Sequence, residues 1–247
     1  MELACAWMSH ALQDSMKDDT NHPGDLRAPL PSRATRGIPK RSKASSRGSV
    51  VVYLPSHNEP RIIQFESKLE QRVLFLLLAR KAVWDIREQP EAFRYVGREG
   101  QRKYHFFDFM VTLKCGRTIA IAVKPKKSVR KNHFLLDLAD IRAAMTSDYA
   151  DDVDLITDHD FTKAEALNAE RFNAFVRTHN ENLQQKLEAL IHMVAFPLSV
   201  GELQNRLGAG AEGYRAIFLA IFDGLLSADK TREIDLSTVV ELGEGHD

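Results

Sequence analysis

The 247 residues are enough for one or two domains, each with a core of its own. The formal net charge is zero because 34 basic residues balance 34 acidic ones, so the overall charge does not indicate a nucleic-acid partner. Cys5 and Cys115 are too few for a disulfide framework or a structural zinc site, and the first residues resemble neither a signal peptide nor a membrane span. These features predict a soluble, cytoplasmic protein.

The first part of the chain, residues 1–48, has few large apolar side chains and several prolines and serines, which predicts a flexible arm. Between Asp25 and Glu59 this region contains cations and no acid: Arg27, Arg33, Arg36, Lys40, Arg41, Lys43 and Arg47. Such a block is typical either of a segment that binds phosphate backbones or of a solvated tail. In the first case Arg41 and Lys43 would contact DNA.

Residues 49–178 are predicted to form an α/β domain with a mixed sheet. From Phe65 onward, apolar residues recur at helical spacing, which predicts one long amphipathic helix. Short runs rich in β-branched and aromatic residues follow, with a hairpin turn at Gly116. Strands are predicted over 82–96, 103–113, 118–124 and 152–158, a basic loop over 125–131, and further helices over 133–149 and 163–177.

Residues 179–247 are predicted to form a separate, mainly helical domain. Ser199 and Glu202 form a capping-box motif, which begins the second of three short helices. The three helices are predicted around 187–194, over 199–208 and over 212–226, and a small hairpin over 231–242. Three short helices followed by strands are typical of a winged helix-turn-helix domain.

Four charged residues of the α/β domain indicate a catalytic site. Glu66 and Glu70 are four residues apart on the predicted helix and share one face, Asp108 is predicted inside an apolar strand, and Lys124 ends another. Burying such groups is costly unless they are paired or bind a metal ion. Two edge strands that place Asp108 beside Lys124 would form a site for a divalent cation, and Mg²⁺ prefers oxygen ligands of this kind.

The order of these motifs resembles the PD-(D/E)XK nucleases with a restriction-endonuclease-like fold, and among them the TnsA-like endonuclease subunits of cut-and-paste transposases. The motifs that carry the resemblance are FESKLE at 65–70, IREQP at 86–90, YHFFDF at 104–109, AVKPK at 122–126 and LITDHDF at 155–161. The resemblance covers roughly residues 50–240, and it implies a mixed-sheet nuclease core followed by a winged-helix domain.

By this resemblance, Glu70 is the helix carboxylate, with Glu66 as a further candidate ligand, Asp108 is the central metal ligand, and Lys124 is the catalytic lysine. The implied cofactor is Mg²⁺ or Mn²⁺. Gln89, in the EQP turn, would position the edge of the sheet.

The resemblance also implies transposon-end DNA as the substrate. The implied protein partners are a DDE-type transposase subunit and an ATP-dependent regulator. The cations that would follow the DNA backbone beside the site are Lys126, Lys127, Arg130 and Lys131.

Two positions depart from the family pattern. Ala122 stands where the family has Glu or Gln two residues before the lysine, and Phe107 stands where a proline usually precedes the aspartate. The Ala122 side chain cannot bind a metal ion. Three outcomes stay open: a carboxylate of Glu66, Glu70 or Asp137 supplies the missing oxygen, a backbone carbonyl suffices, or the site is inactive.

The sequence therefore predicts a metal-dependent DNA endonuclease subunit of a heteromeric transposase. The alternative is a catalytically impaired subunit that binds DNA and scaffolds other transposition proteins. A third hypothesis is a general restriction or repair nuclease of the same fold. The C-terminal domain is expected to dock a partner protein rather than read bases, because its third helix has Arg215 as its single cation.

Overall fold

The structure is a computed structural model, and it describes residues 28–36 and 46–243. The strands in this part of the chain are β1 (Gly48–Val52), β2 (Arg61–Phe65), β3 (Val83–Glu88), β4 (Phe93–Val96), β5 (Arg102–His105), β6 (Phe109–Leu113), β7 (Thr118–Val123), β8 (Asp152–Ile156), β9 (Leu198–Ser199), β10 (Leu226–Ser227) and β11 (Val239–Leu242). The helices are α1 (Lys68–Leu78), α2 (Lys126–Lys131), α3 (Phe134–Ala144), α4 (Lys163–Val176), α5 (Glu181–Ile191), α6 (Val200–Leu207) and α7 (Gly210–Phe222).

A four-stranded mixed sheet forms the centre of the α/β domain, with the strand order β3-β6-β7-β8. The β3/β6 and β6/β7 pairs are antiparallel, whereas β7 and β8 are parallel. The β6–β7 turn contains Gly116 at a φ of 86°, where a side chain would be strained. The mixed α/β fold class is thus confirmed. The predicted edge position of the strands near Asp108 and Lys124 was wrong, because β6 and β7 are the two central strands.

Both faces of this sheet are covered, and the residues of β7 alternate between two cores. Ile121 and Val123 belong to a cluster with Val73, Leu74 and Leu77 of α1. Ala120 and Ala122 belong to a second cluster with Leu138 and Ile141 of α3. A strand that is buried on both faces reads as a continuous apolar run, which explains the sequence TIAIAV.

Helix α1 begins later than predicted, because Phe65 is the last residue of β2 and packs in the core on the α1 side of the sheet. Ser67 is the N-cap, and its hydroxyl accepts a hydrogen bond from the backbone N–H of Glu70. Phe65 was misassigned because its spacing from Leu69 also fits a helix. The β1–β2 hairpin before it was not predicted.

Four further predicted elements differ from the structure. The strand predicted over 82–96 is divided into β3 and β4, and the one over 103–113 is divided into β5 and β6. The basic segment predicted as a loop contains the short helix α2. Helix α3 ends at Ala144, before the predicted end at residue 149.

Residues 28–36 pack on the α/β domain, so the predicted free arm is wrong for this segment. The backbone of Leu30 accepts a hydrogen bond from Ile62 at 2.9 Å and donates to Pro60 at 2.8 Å. The Arg33 guanidinium binds both carboxylate oxygens of Asp85, each at 2.8 Å. Arg41 and Lys43, the predicted DNA contacts of the arm, lie outside the described residues.

The C-terminal part combines α5, α6 and α7 with a small antiparallel sheet in the order β10-β11-β9. The capping box at Ser199 and Glu202 is formed, and α6 ends before Gly208, as predicted. The hairpin predicted within 231–242 is wrong, because β11 pairs with β10 and β9 instead. The elements follow the order helix, strand, helix, helix, strand, strand.

Helix α4 joins the two parts. Its Phe172 ring stacks on Phe222 of α7 with ring centroids 4.6 Å apart. The buried Asn168 amide donates to the carbonyls of Lys230 and Arg232, and its oxygen accepts from the N–H of Ile234. Buried amides that are fully paired fix an interface geometrically. Within the described residues, no helix combines the length and apolar character needed to cross a bilayer.

Replacing Arg33 by alanine should lower the free energy of unfolding by about 1–3 kcal/mol, because it leaves the partly buried Asp85 carboxylate without its cation. The control is Arg117→Ala, which removes an exposed Arg–Asp pair with Asp152 and should cost less than about 1 kcal/mol. Urea denaturation measures both. Equal losses would show that the 28–36 segment is not held through Arg33.

Candidate active site

Asp108 lies directly before β6 rather than inside a strand. Its backbone N–H donates to the carbonyl of Ile121 at 2.9 Å, and its own carbonyl accepts from the N–H of Gln89, also at 2.9 Å. The carboxylate oxygen Oδ2 accepts from the backbone N–H of Val123 at 2.6 Å. Asp108 is therefore held between the end of β3 and the end of β7, and its side chain is positioned by the backbone of β7.

Glu66 and Glu70 lie at the N-terminus of α1. One oxygen of Glu70 accepts from the backbone N–H of Glu66 at 2.7 Å, and the other accepts from the Ser67 hydroxyl at 2.8 Å. Glu66 accepts a hydrogen bond from the Gln89 amide at 3.0 Å. The Glu70 carboxylate thus satisfies donors at the helix N-terminus, where a negative charge is also favoured by the helix dipole.

The charge of Glu70 disfavours the ionisation of Asp108. Burial and then the nearby Glu70 charge raise the pKa of Asp108 to about 7, against the opposing effects of the Val123 N–H, Lys124 and Arg36. Burial also raises the pKa of Glu70, and the Glu66 charge acts in the same direction. We refer to Glu66, Glu70 and Asp108 as the acidic cluster.

Lys124 follows β7, and its backbone N–H donates to the carbonyl of Ile156 at 3.1 Å. Its Nζ lies 4.9 Å from the centre of the Phe134 ring, a cation–π contact. The charge of Lys124 reaches Asp108, whose pKa it lowers. It also acts on His105, whose pKa is lowered to about 4, mainly by burial. Lys124 therefore lies near enough to Asp108 for its charge to act on that carboxyl group, while its ammonium lies over the Phe134 ring.

An open cleft of about 760 Å³ lies beside Lys124, and Lys103, Ser128 and Asn132 also line it. Asp137, one of the carboxylates considered as a replacement ligand, is in this cleft and binds the Lys103 ammonium at 2.9 Å. It is engaged there instead of with the acidic cluster. His105 also lines the cleft, and its Nε2 has no hydrogen-bond partner among the described residues.

The four predicted DNA-contacting cations are on α2, which begins two residues after Lys124. These cations are Lys126, Lys127, Arg130 and Lys131. Within the described part of the chain, none of their side chains forms an ion pair, and all of them except Lys126 are exposed. The Asp158 carboxylate accepts from the backbone N–H of Lys126 at 2.7 Å and holds the start of the helix. The cations are available to an anionic partner next to the cleft.

Ala122 and Phe107, the two departures from the family pattern, belong to one buried cluster on the α3 side of the sheet. Both are fully buried at 0% exposure. Phe134, His105 and Phe107 pack against one another there, with ring centroids 4.6 and 5.4 Å from His105. Ala122 therefore packs among apolar side chains, and a longer polar side chain at this position would be buried among them.

Gln89 connects the site to the N-terminal segment. It is buried and adopts a left-handed conformation with φ 42°, which is uncommon for a residue with a side chain. Its carbonyl accepts hydrogen bonds from both the backbone N–H and the hydroxyl of Thr35, at 3.1 and 2.9 Å. Because its amide also holds Glu66, Gln89 couples residues 28–36 to the acidic cluster.

Arg36 is a site residue that the sequence analysis did not single out. Its guanidinium pairs with Glu66 at 3.4 Å and lies over the Phe106 ring at 5.2 Å. It also lowers the pKa values of Glu70 and Asp108. In the sequence, Arg36 is one of several cations in a basic block, and nothing in that pattern distinguishes it from Arg33 or Lys40.

The site offers few side-chain ligands for a divalent cation. In the described ranges, no group of three or more His, Cys, Asp or Glu side chains is arranged to hold a metal ion. Glu70 and Asp108 still provide two neighbouring carboxylates, and Asp108 Oδ1 has no hydrogen bond among the described residues. Mg²⁺ commonly takes one or two protein carboxylates and completes its shell with water and phosphate oxygens, so these residues fit such an ion.

Comparison with family models decides the class of the central domain. Residues 80–189 match the TnsA-like endonuclease N-terminal domain. The chain contains a TnsA-like endonuclease domain. The match includes Asp108, Ala122 and Lys124 and ends within α5, whereas Glu66 and Glu70 precede it. No curated protein matches the chain. The predicted resemblance of the nuclease core is thereby confirmed.

In the TnsA-like domain, Asp108→Asn should stabilise the fold at alkaline pH. The folded pKa of about 7 exceeds the ordinary value of 3.8, so the unfolding free energy of the wild type falls as pH rises through this interval. Asparagine keeps an acceptor for Val123 without the charge. We expect a gain of roughly 2–4 kcal/mol at pH 8 and little gain at pH 4, measured by thermal and urea denaturation.

The control for this pH experiment is Asp154→Asn, at an exposed position on β8. It should change the stability little at either pH. A gain for Asp108→Asn that is constant between pH 4 and pH 8 would contradict a raised pKa.

Restoring a carboxylate at the missing ligand position should not restore a metal site. Ala122→Glu places a charge among Phe107, Phe134 and Leu138 and should cost roughly 3 kcal/mol or more of unfolding free energy. Ala143→Glu, at an exposed position of α3, is the control and should be nearly neutral. A stable Ala122→Glu protein with stronger Mn²⁺ binding in calorimetry would show that the position opens towards the acidic cluster.

Proposed function

We propose that this protein is the DNA endonuclease subunit of a heteromeric transposase, which cuts phosphodiester bonds at transposon ends with Mg²⁺ or Mn²⁺. Its proposed partners are a DDE-type transposase subunit, which the resemblance to TnsA-like proteins implies, and an ATP-dependent regulator. The observation that carries the proposal is the buried Asp108 carboxyl group, on which the charges of Glu70 and Lys124 both act, within a TnsA-like endonuclease domain.

In this proposal Glu70 and Asp108 hold the divalent ion, with Glu66 as a further candidate ligand. A bound ion of this kind stabilises charge on the scissile phosphate and lowers the pKa of water. Without an ion, burial and Glu70 raise the pKa of Asp108 to about 7, so binding of a divalent ion would release the proton from this carboxyl group. The Lys124 ammonium orients the attacking water or stabilises the negative charge of the transition state.

The DNA backbone is proposed to follow the cations of α2 and the cleft beside Lys124. The unpaired cations Lys127, Arg130 and Lys131 would each replace a counterion of one phosphate. Arg41 and Lys43 remain part of this proposal from the sequence alone. The expected signature is DNA binding that weakens steeply with salt and depends little on sequence.

The C-terminal part is proposed to be a winged-helix domain that docks a partner protein. Helix α7 is largely buried, with every residue from Ala216 to Ile221 in the core. The second half of the helix is therefore part of the core, whereas Glu212 and Arg215 in its first half are exposed. Its single cation, Arg215, lies over the Phe175 ring at 5.8 Å. These features favour protein docking over base recognition.

A second candidate is a catalytically impaired subunit that binds DNA and scaffolds the assembly. The observation that favours it is the packing of Ala122 and Phe107 in one apolar cluster, which leaves the site one strand ligand short. Losing a metal ligand removes transition-state stabilisation directly. The two candidates differ in hydrolysis and agree in DNA binding, so they can be separated by one pair of assays.

The decisive assay is Mg²⁺- or Mn²⁺-dependent cleavage of transposon-end DNA, with and without the partner transposase. Asp108→Asn and Lys124→Gln should each lower the cleavage rate by about 100-fold or more, because the first removes a proposed metal ligand and the second removes the cation proposed to stabilise the transition state. DNA binding, measured by fluorescence anisotropy, should change little. Asp154→Asn is the matched control and should cut at the wild-type rate.

Each outcome of the cleavage assay selects one hypothesis. Equal cutting by the wild type and Asp108→Asn would contradict the site assignment. DNA binding without cutting by the wild type would favour the scaffold. Efficient cutting of naked DNA without a transposase would favour a general restriction or repair nuclease.

A further inference from the structure

The acidic cluster contains a cation that belongs to the chain itself. The Arg36 guanidinium is 3.4 Å from a Glu66 oxygen, and its charge lowers the pKa values of both Glu70 and Asp108. It therefore acts on all three carboxylates. The same guanidinium lies over the face of Phe106, which limits where it can move.

Arg36 is positioned beside Glu66 by residues 28–36, a segment that hydrogen bonds anchor to the sheet. The Ser32 hydroxyl donates to the buried Glu88, and Arg33 binds Asp85 through two hydrogen bonds. Thr35 is bound twice to the carbonyl of Gln89, one residue before Arg36. These anchors are specific polar contacts to the last residues of β3 and the turn that follows. The position of Arg36 is thus built into the fold.

The charge of the cluster explains why a cation is needed there. Three carboxylates at one end of the sheet repel one another, and their burial makes this repulsion more costly than in water. Nuclease sites of this class compensate such charge with a divalent ion. Here the oxygen ligand expected two residues before Lys124 is absent, because Ala122 is an apolar core residue. Arg36 and Lys124 supply positive charge of the kind that a bound ion would otherwise provide.

We propose that Arg36 is the resident cation of the acidic cluster and that it competes with a divalent metal ion for the same carboxylates. The inference rests on the proposed function, since that is what places the ion at Glu70 and Asp108. A guanidinium beside Glu66 and a divalent ion at Glu70 and Asp108 repel each other. Glu66 is the shared group, because Arg36 contacts it and it is also a candidate ligand of the ion; the Arg36 side chain is 37% exposed and can turn away from Glu66.

A purely structural role of Arg36 predicts the opposite behaviour. If Arg36 served only to orient Glu66 for the metal, removing it would loosen that carboxylate and weaken metal binding. If Arg36 competes, removing it strengthens metal binding, because the cluster loses its internal cation. The sign of the change in metal affinity therefore separates the two roles.

The experiment measures Mn²⁺ binding to the full chain without DNA by isothermal titration calorimetry at pH 8. Arg36→Gln should bind Mn²⁺ about tenfold or more tighter than the wild type. Arg36→Lys keeps the charge on a shorter side chain and should fall between them. Arg87→Gln removes a surface pair with Glu91 and is the control, with unchanged affinity. Asp108→Asn added to Arg36→Gln should abolish the gain, which locates the ion at the cluster.

A second readout does not depend on heat signals. Mn²⁺ should raise the melting temperature of Arg36→Gln more than that of the wild type, since at a given ligand concentration the stabilisation increases as the dissociation constant falls. Circular dichroism without metal confirms that the variants are folded. Equal Mn²⁺ affinity in the wild type and Arg36→Gln, weaker binding by Arg36→Gln, or no binding by either protein would each overturn the proposal.

The outcomes also distinguish this inference from the proposed function. Tight Mn²⁺ binding by Arg36→Gln without any DNA cutting would support Arg36 as the resident cation and contradict the endonuclease. DNA cutting by the wild type, with a metal affinity that Arg36→Gln leaves unchanged, would keep the endonuclease and overturn the competition.

Discussion

The structure depends on one electrostatic constraint: three carboxylates lie together at the end of a sheet whose two faces are apolar. Asp108 is placed there by the pairing of β3, β6 and β7, while Glu66 and Glu70 begin helix α1. Negative charge at this position is tolerated only because donors surround it. The backbone of β7, the helix N-terminus and Gln89 provide hydrogen bonds, and Arg36 and Lys124 provide charge.

The two residues that depart from the nuclease motif, Phe107 and Ala122, pack in the same part of the core. Phe107 and Ala122 belong to the same buried cluster, in which a large side chain is combined with a small one. Packing of this kind is close to crystalline in density, so an added carboxylate at 122 cannot be accommodated without moving Phe107 or Phe134. The loss of a ligand position and the presence of an internal cation are consistent with each other, because both reduce the dependence of the fold on a bound ion.

Much of the fold was predictable from pattern, and the errors have physical causes. The mixed sheet, the hairpin at Gly116 and helix α6 follow from local signals: alternation, turn residues and a capping box. Phe65 was assigned to a helix because, where a strand is followed closely by a helix, a single apolar residue fits both the two-residue repeat of the strand and the helical repeat of about 3.6 residues. The strands beside Asp108 and Lys124 were placed at the edge, although strand order depends on long-range pairing that local sequence does not encode.

The sequence by itself determined the family to which the central domain is related and indicated the candidate site residues, whose chemical role stays a prediction. Charged residues in apolar runs, such as Asp108 and Lys124, are informative because their burial is costly without a function. The tertiary structure alone decided their surroundings: Asp137 pairs with Lys103 away from the acidic cluster, Ala122 faces a closed core, and Arg36 enters the cluster. Those outcomes depend on contacts between residues far apart in the chain, and a basic block or a two-residue spacing contains no signal for them.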